Sequence, residues 1–227
     1  MRTKKIKALI KVILILFSGS LFFISNPIFG QNPLGYKSEV ENIGRLNIMK
    51  VNSPDLILFT GSSSIKMWQN VKDYFPAKNI VNTGFGGSQM SDLIFYFDSL
   101  ILKYTPIQVF IYEGDNDIAS GKKAEEVIKD ANLLLDKFKK VLPKTKIVFI
   151  AVKPSLARWN LKDEYIRYNN LLKMFSAENS NIQFINTWDL FLNEKGTPRK
   201  ELFIQDGLHM GKPGYDIWAK EIKKIIK

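Results

Sequence analysis

The sequence predicts an α/β protein: a central parallel sheet of five strands with helices on both faces. Five short β-branched apolar runs recur along the chain, at Leu56–Phe59, Ile80–Asn82, Val109–Tyr112, Ile147–Val152 and Ile182–Asn186. Segments of helical periodicity separate most of them. Strands that alternate with helices build right-handed βαβ units, and strands buried on both faces read as near-continuous apolar runs. No internal repeat or low-complexity segment interrupts the pattern.

The elements follow in order. Residues 1–30 have the layout of a secretory signal peptide: Arg2, Lys4, Lys5 and Lys7 without an acid, an apolar run from Val12 to Ile24, then Pro27 and Gly30. The run is short for a membrane span, which needs about 20 residues, so an uncleaved anchor is the second choice. No cysteine sits at the junction to carry a lipid. Residues 31–227 then suit one domain. A helical pattern over Tyr36–Met49 precedes the first strand run, and another over Gln89–Leu102 follows the second. The clearest helix is Lys122–Leu142, whose apolar positions, among them Ala124, Val127, Ile128, Ala131, Leu134, Leu135 and Phe138, hold a 3.6-residue period. Leu161–Phe175 and Pro213–Ile226 complete the helices, with Pro213 suited to a first turn. The stretch Trp188–Lys212 is long for a loop, and long loops often carry binding or catalysis.

Composition removes several classes of function. The chain carries 33 basic and 22 acidic residues, but five of the basic ones lie in the leader. The others are scattered, without the basic stripe and aromatic partners of a nucleic-acid reader. There is no cysteine, which excludes disulfides and thiolate metal sites, and a single histidine, His209, which argues against zinc. No cofactor is expected. "GFGGSQ" has Gln89 where a dinucleotide fingerprint needs its last glycine, and "DNDIASG" has Ala119 at a calcium-ligand position.

Function is sought after each strand, because open parallel sheets bind ligands beyond their carboxyl ends. The first strand is followed by Gly61-Ser62-Ser63-Ser64, the second by Gly84, Gly86 and Gly87, the third by Asn116 between two aspartates, and the fifth, after its long loop, by Asp206 and His209. Singly, each has an ordinary structural explanation: serines cap helices and glycines make tight turns. Together they supply a hydroxyl, a base, a carboxylate to orient the base, and donors for an oxyanion, which is what ester hydrolysis through a covalent intermediate requires. The α/β-hydrolase elbow is absent, since Ile65 stands where its second glycine belongs.

The four blocks "FTGSSSIKMW", "NTGFGGSQ", "GDND" and "DGLH", in this order, resemble those of the SGNH or GDSL-type hydrolases. The branch most similar is that likened to platelet-activating-factor acetylhydrolases. The resemblance implies a flavodoxin-like three-layer αβα sandwich. It also implies Ser63 as nucleophile, with Asp206 and His209 as its partners. Ser62 and Ser64 stand as alternative nucleophiles, and Asp189 as a weaker candidate for orienting the base. The implied oxyanion donors are the Ser63 amide, Gly87 (with Gly86 as second choice) and Asn116. Ser62 takes the place of the family's aspartate, and Trp68 matches a tryptophan that often follows the nucleophile. Trp68, Phe85 and Trp159 are the candidates for lining the substrate cleft.

The activity so implied is that of an exported serine esterase, periplasmic or secreted, acting on a small ester of a carbohydrate or lipid. It would need no nucleic acid and no membrane span once the leader is removed. A base that must be uncharged implies a rate that climbs with pH through roughly 6 to 7.5. The alternatives are a non-catalytic carbohydrate- or lipid-binding protein of the same fold, and a membrane-tethered scaffold.

Overall fold

A computed structural model describes residues 32–227; the leader reading falls on residues 1–30 and lies outside them. In chain order the helices and strands are α1 (Lys37–Leu46), β1 (Leu56–Gly61), α2 (Ser63–Lys66), α3 (Val71–Tyr74), β2 (Asn79–Asn82), α4 (Met90–Phe95), α5 (Phe97–Leu100), β3 (Gln108–Tyr112), α6 (Asp115–Ala119), α7 (Ala124–Val141), β4 (Lys146–Ile150), α8 (Lys162–Ala177), β5 (Ile182–Ile185) and α9 (Lys212–Ile222). All neighbouring strands pair in parallel, in the order β2-β1-β3-β4-β5.

Alternate strand residues feed two separate cores. Leu56, Leu58, Val109, Ile111, Ile147 and Phe149 pack against α1, α4, α5, α7 and α8. Ile57, Phe59, Phe110, Tyr112, Val148 and Ile150 pack on the other face against α2, α3 and α9. Because both faces are covered, the centres of β1, β3 and β4 are apolar on both sides and read as runs and not as alternations. Among the described residues no helix is long and apolar enough to cross a membrane.

Helix α7 shows why its sequence folds as it does. Ala124, Val127, Ala131, Leu134, Leu135 and Phe138 are its buried stripe. Glu125 and Glu126 stand in its first turn and Lys139 and Lys140 in its last, matching the helix dipole. The segment expected as one helix over Gln89–Leu102 is divided at Tyr96, which takes φ −95° and ψ 15°. A tertiary contact outweighs local propensity there: the Tyr96 hydroxyl donates to the Pro33 carbonyl at 2.8 Å, and its ring meets Phe85 edge-on.

Two glycines fix where the site is built. Gly61 ends β1 at φ +114°, and a Cβ there would lie 2.2 Å from the Tyr112 carbonyl oxygen. That carbonyl instead accepts the Ser62 amide at 3.0 Å, so the serine turn is seated against the end of β3. Gly114, at φ +108°, leaves room for the Tyr168 ring, which a Cβ would meet at 2.3 Å. The turn carrying Asp115 and Asn116 thereby packs directly on α8.

Candidate active site

The site begins with how the chain leaves β1. Ser62 is extended (φ −75°, ψ −174°) and caps α2, and Ser63 is the first residue of that helix. The Ser63 amide donates to the Ser62 hydroxyl at 2.6 Å. The Ser63 Oγ lies 2.9 Å from His209 Nε2, although 146 residues separate them. His209 sits on a tight turn closed by the amide of Ile204 donating to the His209 carbonyl at 2.9 Å. Asp206 organises that turn. Its Oδ1 accepts the amides of Leu208 and His209 at 2.8 and 2.9 Å, and its Oδ2 meets His209 Nδ1 at 2.6 Å.

Electrostatics decide the histidine tautomer. Partial burial would raise the Asp206 carboxyl, but its hydrogen bonds from the His209 ring and the two amides bring it down to about 2. An ionised carboxylate only accepts, so Nδ1 must carry the hydrogen. In the neutral ring Nε2 is then an acceptor facing the Ser63 hydroxyl. The geometry can therefore move a proton from Ser63 to His209. Of the three adjacent serines, Ser63 alone faces the imidazole: the Ser64 Oγ is buried and accepts from Lys153 Nζ at 3.1 Å.

Asn116, near the start of α6, lies on the other side of the serine turn. Its Nδ2 donates to Ser62 Oγ at 2.7 Å and to the Ser88 carbonyl at 2.9 Å. Two N–H groups, from Ser63 and Asn116, thus converge on the Ser62 oxygen. Ser88 follows Gly87, whose φ of +38° turns the chain there. The Gly86 amide donates to Glu39 on α1 at 2.9 Å, and Glu39 pairs with Lys66 at 2.9 Å. Gly86, the second choice for an oxyanion donor, therefore has its hydrogen committed elsewhere.

Two cleft expectations need correction. Trp68 and Phe85 are fully buried. Trp68 stacks on Tyr215 and meets Trp218 and Phe59 in the core under α9, and Phe85 meets Tyr36 and Tyr96 in the opposite core. Large rings beside the motif residues were captured by flanking helices, so neither lines a substrate cleft. Trp159 is half-buried, stacked on Trp188 with its centroid 6.2 Å away, and Lys162 Nζ lies 5.5 Å above it. Asp189 is an exposed residue of a turn of residues 189–191, and Asp206 holds the contact to His209.

Sequence reasoning missed a buried charged cluster behind Asn116. Asp115 accepts from Lys153 Nζ at 3.1 Å, Arg158 Nη1 at 2.5 Å, the Tyr165 hydroxyl at 2.7 Å and the Tyr112 hydroxyl at 2.9 Å. Burial alone would raise the Asp115 carboxyl; Lys153 and Arg158 overcome it and hold the group well below the usual carboxylate range. Burial also pulls Lys153 below its ordinary value, against the pull of Asp115. The one available signal was a lysine directly following the fourth apolar run.

Glu113 is a second buried acid. Its Oε1 accepts from Ser88 Oγ at 2.7 Å, and its Oε2 has no hydrogen-bond partner among the described residues. Burial, reinforced by Asp117, pushes this carboxyl well above its usual range. An acid raised on folding stabilises the fold below its unfolded value, about 4.3, and that contribution is lost as pH rises. Glu113→Gln, which cannot titrate, is therefore expected to gain in melting temperature over wild type, by more at pH 8 than at pH 5. Thermal unfolding across that range checks it.

Among the described residues no group of three or more His, Cys, Asp or Glu side chains is placed to hold a metal. A groove of about 770 Å³ between α1 and the α4–α5 segment, lined by Leu34, Val40, Ile48, Phe95 and Tyr96 among others, includes none of the residues of the hydrogen-bonded chain.

Comparison with known proteins places this geometry in context. The chain is 27% identical over 165 residues to the N-acylneuraminate cytidylyltransferase of Escherichia coli; the match takes in 68% of this chain and only 38% of that protein. Its fold is that of a candidate platelet activating factor from Streptococcus pneumonia (TM-score 0.76, 22% identity, 86% of this chain and 94% of that one). A catalytic mutant of an acetylxylan esterase from Geobacillus stearothermophilus shares it at a TM-score of 0.62 and 17% identity, over 78% of this chain and 96% of that one. The model of the GDSL-like lipase/acylhydrolase family matches residues 59–217, a span that runs from the end of β1 through the serine turn, Asn116 and His209 into α9. The chain belongs to the GDSL-like lipase/acylhydrolase family.

Proposed function

We propose that the protein is an exported serine esterase that cleaves short-acyl carboxylic esters through an acyl-enzyme. The observation that carries this is the relay of Ser63 Oγ to His209 Nε2 at 2.9 Å and His209 Nδ1 to Asp206 Oδ2 at 2.6 Å. Export is supported by the signal-like sequence of residues 1–30.

In the first step the Ser63 oxygen bonds to the ester carbonyl carbon as its proton passes to His209 Nε2. The carbonyl oxygen becomes an oxyanion. It takes hydrogen bonds from the Ser63 amide, the Gly87 amide and the Asn116 side chain. Two of these donors already point at one oxygen, that of Ser62, so little reorganisation is needed for a substrate oxygen to compete for them. Each such donor is typically worth about 2.7–4 kcal/mol of barrier. The tetrahedral intermediate then expels the alcohol, which takes the proton from His209. Water repeats the sequence with the same base and releases the acid, restoring the Ser63 hydroxyl.

Short acyl groups are favoured because neither Trp68 nor Phe85 is available to line an acyl channel, and because a neighbour in fold is an acetylxylan esterase. The test is a panel of chromogenic esters from acetyl to palmitoyl, with acetylated sugars added. The expected result is a kcat/KM that is highest for acetyl and falls with chain length. A maximum at palmitoyl would overturn the acyl preference, and no hydrolysis of any ester would overturn the esterase reading.

A further inference from the structure

We propose that Arg158 is a positioning residue that fixes the orientation of the Asn116 side-chain amide; the inference rests on the esterase reading above. An asparagine amide can turn over by half a rotation with little steric change, so its partners must decide which edge carries the hydrogens. In this site the Asn116 Oδ1 accepts from Arg158 Nη1 at 3.0 Å, while Nδ2 donates to Ser62 Oγ and the Ser88 carbonyl. Turned over, the amide would set its NH₂ against a guanidinium and its oxygen against a carbonyl. The Ser62 hydroxyl cannot discriminate, because it accepts or donates equally well. Arg158 is thus one of two groups that hold the NH₂ edge toward the serine turn.

The guanidinium is itself held firmly. The same Nη1 reaches Asp115 Oδ1, and Asp115 is anchored by Lys153, Tyr112 and Tyr165. The loop carrying Arg158 is tied to the histidine turn, since the Ala157 amide donates to the Gly207 carbonyl at 3.1 Å. A cation 3.0 Å from the amide oxygen also polarises the amide, which makes its N–H a stronger donor to developing negative charge. Lysine does not reproduce this, because its ammonium is a strongly hydrated point charge on a flexible stem and lacks the rigid planar group that Asp115 holds against the amide.

The test measures kcat and KM on an ester the wild type hydrolyses, for Arg158→Ala, Arg158→Lys, Asn116→Ala and the double variant Arg158→Ala/Asn116→Ala, beside Ser63→Ala. Arg158→Ala should lower kcat by roughly 10- to 100-fold with KM changed by less than about 3-fold, somewhat less than the loss of a whole oxyanion donor. In the Asn116→Ala background, removing Arg158 should cost less than about 2-fold more, because the group it positions is gone. Added guanidinium ion should restore part of the Arg158→Ala rate and none of the double variant's. A wild-type kcat in Arg158→Ala, or losses that multiply in the double variant, would overturn the proposal. If Arg158→Ala fails to fold, Arg158→Lys carries the test: a kcat loss of several-fold that disappears in the Asn116→Ala background supports it, and an unchanged kcat overturns it. Retained activity in Ser63→Ala would instead overturn the esterase reading, and this inference with it.

Discussion

Replacing Ser63 by alanine is expected to abolish turnover while leaving the fold intact. Loss of a nucleophile of this kind costs on the order of 10⁶-fold in kcat, because the remaining groups act only as a unit with it. No neighbour can substitute. The Ser62 oxygen is occupied by the Ser63 and Asn116 N–H groups, and the Ser64 oxygen is buried against Lys153. Among the described residues the His209 ring is hydrogen-bonded to Ser63 and Asp206 and to neither of these two serines. The substitution removes one hydroxyl at a partly exposed position and keeps the backbone amide, so the melting temperature should move little. Steady-state kinetics with a short-acyl ester, beside a thermal melt, checks both halves of this expectation. Activity near that of wild type would remove Ser63 from the mechanism.

The second large effect is on stability. Asp115→Ala should destabilise the protein by about 3–5 kcal/mol, the range for removing one partner of a buried ion pair. Asp115 and Lys153 are both nearly inaccessible, and Lys153 would be left with two neutral hydroxyl partners, those of Ser64 and Tyr112. Arg158 would lose its anchor, and the Tyr165 hydroxyl would lose its shorter bond and keep the Asp115 backbone carbonyl at 3.2 Å. Asp115→Asn, which keeps the volume and an acceptor, should cost less. Urea unfolding measured on both variants gives the comparison. The sign with pH follows from the depressed carboxyl. The contribution of Asp115 is present above the unfolded value of about 4 and is lost as pH falls below it, so wild type and Asp115→Ala should converge in stability on acidification. An Asp115→Ala protein as stable as wild type at neutral pH would show that the cluster does not hold the fold.

How much of this was legible from the residues alone depended on the range of the interaction. The five strands were legible because both faces of a parallel sheet are buried, and that writes itself as local β-branched runs. The helix Ala124–Val141 was legible from its own period. The break at Tyr96 was not, since it depends on a hydroxyl reaching Pro33, 63 residues away. At the site, the four blocks marked Ser63, Gly87, Asn116 and Asp206 with His209, residues whose types advertise chemistry. The groups that hold them do not advertise it. The stretch Lys153–Trp159 after the fourth strand reads as a possible cleft lining, and nothing local in it tells that Lys153 and Arg158 close on Asp115, 38 and 43 residues away. Nothing in the helical pattern of Tyr36–Met49 singles out Glu39, whose contact with Gly86 spans 47 residues. Trp68 and Phe85 misled for the opposite reason: their proximity in sequence to the motif said nothing about which side of the sheet would bury them.

The most direct measurement of the central claim is covalent trapping with a fluorophosphonate, followed by intact mass and peptide mapping. The account predicts one equivalent of label on the peptide carrying Ser63, absent in Ser63→Ala and strongly slowed in His209→Ala. No label on the folded wild-type protein, or label on a residue other than Ser63, would contradict it.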